Sequence, residues 1–414
     1  MNKFIAIVCA VMIGLPAYGQ SVVKTMKHLP DTGDTTGYTA TFGEDNDFSI
    51  FLPFFIDNGN GTITDTVTGL MWQKSDGGEM SVDNARLYCG SLTLGGYTNW
   101  RLPNAREAFS ILNLNRLNPA LDTNFFTNSH ADYWWSGDMD VTDTTKIWVT
   151  NAGGGIGNHP RSETISAGGV KSFHVRAVRD FTLPPLLPQH YTDNGNGTIT
   201  DNLTLLVWQK LLAPDTLIWD QALTYADTLT LAGYNDWRLP NIKELQSIAD
   251  LAASNPAMNP IFTVGSGVKY YWSSTTQFNN GANAWYLNSL NGITTYIPKT
   301  RNLYTLCVRG NAFVPTGIRS VSCLTSNSFA FPNPADNYVT ICFSLHKAKT
   351  VKLVIINFLG IEVLEQRITE CTDGLNQYVW EAKNMPEGNY FYSIEVIGND
   401  QTLQTSSGKF LLVK

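Results

Sequence analysis

The carboxylates best placed for chemistry lie in two short runs. Asp57 and Asp65 flank Asn58-Gly59-Asn60-Gly61, and Asp193 and Asp201 flank Asn194-Gly195-Asn196-Gly197. Carboxylate and amide oxygens on a Gly-rich loop are hard ligands suited to calcium. The spacing lacks the alternating ladder and the bidentate glutamate of an EF-hand loop, however. A hairpin turn held by Asn and Asp side chains accounts for the same residues more simply. Calcium is left open as a cofactor, and none is required.

Acid–base and nucleophilic chemistry find little support. Glu107 and Glu244 each follow an Asn by three residues, the spacing of a helix capping box, which outweighs a general-base role. Arg101 and Arg238 sit between a Trp and a Leu-Pro, where a partly buried arginine paired with a carboxylate is expected. His130, His159 and His174 have no counterparts between residues 191 and 312, so a histidine-based site would exist once. Planar aromatics are the better material for recognition, because they stack on sugar faces. Trp135 with Trp272, and Trp148 with Trp285, are expected to fill the interior. Trp134, Tyr271 and Tyr286 are the surface candidates for ligand contact, and Asn235 and Asp236 add polar groups.

The elements that must position these residues come from a duplication. Phe55–Asp65 returns as Tyr191–Asp201, 136 residues later, and Trp72-Gln73-Lys74 returns as Trp208-Gln209-Lys210. Gly96–Asn104 returns as Gly233–Asn241 at a spacing of 137, as do Asn118-Pro119, Trp135-Ser136 and Trp148. Two such copies indicate domain duplication and not a solenoid. In each copy an Asn-Gly turn enters a strand. Ala85, Tyr88, Cys89 and Leu92, matched by Ala222, Tyr225, Ala226 and Leu229, mark one face of a first helix. Asn104-x-x-Glu107 and Asn241-x-x-Glu244 open a second. Short Trp-bearing strands complete an α+β domain.

The ordered motifs DNGNGTITD, GLMWQK, GGY-x-x-WRLPN-x-x-E, YWWS or YYWSS, and a final VR resemble the Lcl C-terminal domain family over roughly 50–182 and 185–312. The resemblance implies a C-type-lectin-like fold, distantly related to the formylglycine-generating enzyme fold, and surface adhesins that bind sulfated glycans. A formylglycine-type copper or thiol site would need shared cysteines, yet Cys89 corresponds to Ala226 and Cys307 to Ala177. Asn235-Asp236-Trp237 reverses the Trp-Asn-Asp order of calcium-dependent lectins, and no Glu-Pro-Asn precedes it. The copies hold ten basic against thirteen acidic residues (50–182) and seven against eight (185–312). Neither has the positive charge a sulfated ligand favours, so a neutral glycan or an extracellular protein is the expected ligand.

In C-type-lectin-like folds a disulfide often ties the first helix to the last strand. The first copy keeps only Cys89 and the second only Cys307, so two buried free thiols are expected, with a bridge between the copies as the sharper alternative. Cys342 and Cys371 could pair in the C-terminal module, leaving Cys323 over.

That module follows a Pro- and Ser-bearing linker. Regular short strands without helices predict an all-β, immunoglobulin-like sandwich. Pro332-Asn333-Pro334, Met385-Pro386-Glu387-Gly388-Asn389-Tyr390 and the final Lys409-Phe410-x-x-x-Lys414 resemble the type A C-terminal sorting domain of the type IX secretion system. At the other end, Lys3, an apolar run from Phe4 to Leu15 and Ala17-Tyr18-Gly19 make a signal peptide. The expected layout is a signal peptide (1–19), an irregular acidic leader (20–49), two repeats (50–182 and 185–312), a linker (313–328) and a sorting domain (329–414).

The 414 residues are 43% apolar and 15% charged, which suits a folded chain. A net charge of −7 argues against nucleic-acid binding. No stretch of the mature chain reads as a transmembrane segment. The expectation is an exported protein, extracellular or on the outer cell surface, whose partners are the secretion machinery and a glycan or protein ligand. A surface enzyme with a pocket in one repeat, or a structural matrix or spacer protein, are the alternatives.

Overall fold

The computed structural model describes residues 22–48, 50–130, 132–162, 172–181, 186–310, 324–331, 335, 337–345, 350–357, 361–369, 371, 374–397 and 403–413. The signal peptide, Cys323, Pro332-Asn333-Pro334 and the linker up to residue 323 lie outside the described residues. Residues expected to close the linker belong instead to a strand, Leu324–Phe331. The chain is mostly β and divides into two compact units, Met1–Phe313 and Val314–Lys414.

Both repeats lie in the first unit and share one sheet order. In the first copy the strands Val178–Asp180, Leu70–Gln73, Thr62–Asp65 and Phe55–Asp57 lie side by side, all antiparallel. In the second, Val308–Arg309, Val207–Gln209, Thr198–Asp201 and Tyr191–Asp193 repeat that order. A second sheet in each copy is built on Tyr133–Met139 or Tyr270–Gln277, paired with the strand that follows.

The described α-helices of this unit are α1 (Val82–Ser91), α2 (Ala105–Ser110), α3 (Trp219–Thr228) and α4 (Ile242–Ser247). The apolar stripes seat α1 and α3: Ala85 and Cys89 are buried, as are Ala222 and Ala226. The short helices begin at the expected capping boxes. The Asn104 side chain accepts from the Glu107 amide at 2.8 Å, and the Glu107 carboxylate accepts from the Asn104 amide at 2.8 Å. Asn241 and Glu244 do the same at 2.9 and 3.0 Å. Each box satisfies two amides that a helix start leaves open.

Three cores hold the unit together. One joins the copies, with Trp72, Phe109 and Trp148 from the first and Trp208, Leu245 and Trp285 from the second. The other two are private, around Trp135 and Cys89 in the first copy and Trp272 and Cys307 in the second. Across the junction α2 and α4 touch, and their basic residues reach over reciprocally. Arg106 donates to the carbonyl of Ala249, just past α4, and Lys243 donates to that of Ser110, which ends α2, at 2.8 Å. Cations placed on the carbonyl end of a helix offset its dipole.

The leader is mostly irregular but not solvated. Asp31, Thr32, Asp34, Glu44 and Asp45 are buried, and the Thr32 carbonyl accepts from the Leu114 amide of the first copy at 2.8 Å. Asp45 accepts hydrogen bonds from Thr32 (2.8 Å) and Thr275 (2.6 Å), and Glu44 accepts from Thr276 (2.8 Å). Lys243 also donates to the Asp31 carbonyl at 2.7 Å.

In the second unit two antiparallel sheets enclose one core. Leu324–Phe331, Tyr338–Leu345 and Gly374–Glu381 form the first, and Glu362–Ile368, Val351–Asn357, Gly388–Ile397 and Leu403–Leu412 the second. Alternate residues such as Val351, Leu353 and Ile355 point inward, the period-two pattern of a half-buried strand.

Candidate functional site

The hairpin carboxylates hold the fold. Asp57 pairs with Lys74 at 2.5 Å and accepts from the Gly59 amide at 3.0 Å; Asp193 pairs with Lys210 at 2.6 Å and accepts from Gly195 at 3.0 Å. The lysine in each case draws the carboxyl below its usual range. Asp65 and Asp201 are buried and accept from amides two and three residues on, which closes the next turn. Burial pushes Asp65 up to about 6. Among the described residues no group of three or more His, Cys, Asp or Glu is placed to hold a metal ion.

Two of the three expected surface aromatics are interior residues. Trp134 is 5% exposed and Tyr271 is fully buried, which corrects the reading of both as ligand contacts. The reason is that both faces of their strand are covered. Trp134 and Tyr271 enter the core shared by the copies, while their neighbours Trp135 and Trp272 enter the private cores. Alternation then no longer separates inside from outside. Tyr286 is half-buried, edge-on to Tyr270 at 5.4 Å. Trp134 donates its indole N–H to Asp76 at 2.8 Å.

Asn235 and Asp236 are exposed, and they lie on a loop whose design occurs twice. Leu94 and Tyr97 exchange two backbone hydrogen bonds of 3.0 Å, as do Leu231 and Tyr234. The residues between them turn through positive φ: Gly95 and Gly96 in one loop, Ala232 and Gly233 in the other. The buried Trp100 donates to the Leu94 and Tyr97 carbonyls at 3.3 and 3.2 Å, and Trp237 to Leu231 at 3.3 Å. This bracing leaves each tyrosine at the surface, Tyr97 at 37% and Tyr234 at 44% exposure.

An arginine from the last strand lies over each ring. The Arg179 guanidinium is 3.9 Å from the Tyr97 centroid, and that of Arg309 is 3.7 Å from Tyr234. Each is fixed by a loop residue. Arg179 Nε donates to Asn99 at 2.8 Å, whereas Arg309 donates to both carboxylate oxygens of Asp236 at 2.7 and 3.0 Å. That pairing draws Asp236 below its usual range. The Asn-Gly hairpin tip abuts the loop, since a Cβ on Gly95 would meet Thr62 at 2.7 Å and Asn60 at 3.1 Å. Each copy thus presents a flat aromatic–guanidinium plate beside exposed amides. Sequence reasoning missed Tyr97 and Tyr234. Their signal was available: a tyrosine after a glycine, at the same place in both copies.

The first copy alone carries a histidine cluster. His174 Nδ1 lies 2.7 Å from Asp76, and Nε2 lies 3.3 Å from Asp132 and 3.7 Å from Glu79. The second copy has Leu212, Lys269 and Tyr304 in place of Asp76, Asp132 and His174, with the Lys269 ammonium 5.4 Å from the Tyr304 ring.

Cys89, Cys307, Cys342 and Cys371 are all free thiols. The bridge between the copies does not form, because Cys89 and Cys307 belong to separate private cores. Cys342 and Cys371 do not pair either. Burial pushes the Cys89 and Cys342 thiols up to about 12, which makes them poor nucleophiles.

Comparison with known proteins bears on both units. No curated protein matches the chain. Three solved structures are similar over limited stretches. The first is a β-1,2-glucanase from Parabacteroides distasonis, with 17% identity, 31% of this chain and 19% of that chain covered, and a TM-score of 0.17. The second is dimeric latent PorU from Porphyromonas gingivalis, with 11% identity, 64% and 26% coverage, and a TM-score of 0.22. The third is the human OSCAR ligand-binding domain, with 10% identity, 30% and 74% coverage, and a TM-score of 0.16. The chain spans about a fifth of the glucanase and a quarter of the PorU chain, and likenesses this remote define no fold. Residues 330–406 match the secretion system C-terminal sorting domain, which directs type IX export to the cell surface or extracellular space. Residues 61–179 and 197–309, more than half of the chain, match the Lcl C-terminal domain, and the chain belongs to that family.

Proposed function

We propose that the protein is a surface or secreted binding protein whose two C-type-lectin-like repeats recognise a neutral glycan or an extracellular protein without making or breaking bonds. The observation that carries this reading is the plate built twice, Tyr97 under Arg179 and Tyr234 under Arg309. A braced ring loses little side-chain entropy when a ligand stacks on it, and a guanidinium adds directed donors. The exposed amides of Asn60 and Asn235 and the hairpin backbone beside the plates supply further polar contacts. The copies keep the plate while they exchange the His174 cluster for other chemistry, which favours recognition over a one-copy enzyme site. His174 itself has carboxylates at both ring nitrogens, and Asp76 is shared with Trp134, so little is left to act on a substrate. The C-terminal unit, read as an immunoglobulin-like sandwich, acts as the export address.

The test is a glycan and matrix-protein array probed with the mature chain, with and without chelator. Binding to at least one class is expected. The Tyr97→Ala/Tyr234→Ala double variant should weaken it at least about tenfold, or ~1.4 kcal/mol. Absence of binding to every class, or undiminished binding by the double variant, overturns the reading.

A further inference from the structure

The junction between the copies is reciprocal in its helices but not in what lies beside them. At the start of α4 the leader packs in: the Thr275 hydroxyl accepts from the Ile242 amide at 3.0 Å and donates to Asp45. At the matching place in the first copy, Asp138 accepts from the Ala105 amide at 2.9 Å, and beside it opens a cavity of about 370 Å³. Its size falls in the range of ligand pockets, ~300–1,000 Å³. Met26, Phe109 and Leu251 give it an apolar side.

Three lining residues carry polar atoms with no partner, Gln246 Nε2, Arg106 Nε and Asp201 Oδ2, while His190 Nε2 lies 3.4 Å from the other Asp201 oxygen. Gln246 is 1% exposed and Asp201 fully buried. A buried polar group left unpaired is costly unless water or a ligand satisfies it. The formal charges around the cavity balance, with Lys24, Arg106 and Lys243 facing Asp138, Asp201 and Asp250, so an ion of either sign gains little. Donors and acceptors lying side by side match hydroxyl groups, which do both at once. The apolar side matches the C–H face of a pyranose.

We infer that this cavity binds a small neutral saccharide of one or two sugar units. Gln246 and Arg106 donate to its hydroxyls and Asp201 accepts from them. The site is separate from the surface plates and stands whether or not those bind glycans.

The experiment is calorimetry and ligand-observed NMR on the full mature chain. The probes are glucose, galactose, mannose, N-acetylglucosamine, cellobiose and maltose, with glycine and alanyl-alanine as zwitterionic counterparts. Saturable binding of at least one saccharide is expected at or below about 1 mM, or ~−4 kcal/mol. Gln246→Leu should weaken it at least about tenfold while leaving the melting temperature unchanged or higher, because it removes an unpaired buried amide. Ala252→Trp, at an exposed position on the rim, should weaken it likewise by obstruction. The Tyr97→Ala/Tyr234→Ala variant should leave it unchanged, which separates this site from the plates. No saturation by any saccharide to about 10 mM, preference for a zwitterionic probe, or full binding by both cavity variants overturns the inference.

Discussion

At the scale of single residues, the repeated WRLPN motif is explained by one ion pair and its burial. Arg238 meets Glu244 through both terminal guanidinium nitrogens at 2.5 and 2.6 Å, with side chains 3% and 1% exposed. Arg101 meets Glu107 at 2.7 and 2.9 Å and also Asp180 at 2.9 Å, but its side chain is 39% exposed. Removing one partner of a buried pair strands the other charge, at a cost of ~3–5 kcal/mol, while an exposed partner matters less. Arg238→Met should therefore lower unfolding stability by about 3–5 kcal/mol in denaturant titration, and Arg101→Met by less. Equal effects would show that burial does not decide the cost. These roles were legible in the sequence, because an Asn-x-x-Glu after an arginine leaves little else for the pair to do. The aromatics were not. Whether Trp134 faces solvent depends on a second core on the far side of its strand, and no local pattern reports that. The exposed tyrosines were missed for the opposite reason: they stand in a loop where no periodicity applies, and only their repetition after a glycine marks them.

At the scale of elements, the leader's packing is the feature its composition leaves unstated. Two lysines against five acidic residues among Thr and Gly read as an irregular acidic leader, and the segment is irregular but packed against both copies. Its partners, Thr275 and Thr276, lie some 230 residues away, beyond any sequence window. Burial pushes the carboxyl of Asp34 up to about 7, with Glu44 and Asp31 adding to the shift and Lys299 opposing it. Asp31 and Asp45 are raised as well, chiefly by burial. A raised acid holds its proton in the folded state longer than in the unfolded one. Its contribution is complete below the ordinary value near 3.8 and is lost as pH rises through about 7. Lys243, lowered to about 8 by burial, acts only above that value, while His28, lowered to about 4 by burial, opposes the three acids only up to its ordinary value of 6.5. The melting temperature should therefore fall from pH 5 to pH 8 by at least about 2–4 °C, and Asp34→Asn should flatten the slope. A melting temperature that rises over that interval, or an unchanged slope in the variant, would contradict the assignment. By contrast, both capping boxes and the helix stripes stand where spacing placed them, because those signals are local.

At the scale of the whole molecule, export belongs to the C-terminal unit, and the recognition we propose belongs to the repeats. Deleting residues 329–414 should leave the chain in the periplasm, measured by fractionation, whereas normal surface display of the truncated chain would refute the address. The duplication itself was legible, as the two copies share their sheet order. The junction was not, because Arg106 and Lys243 give no hint in sequence that each crosses to the other copy. That cross-over has a mechanical result. The two plates ride on one body and not on beads joined by a string, so their separation is fixed. A polymer that grips both must carry its epitopes at a matching interval, and avidity should jump at one chain length instead of climbing smoothly with it.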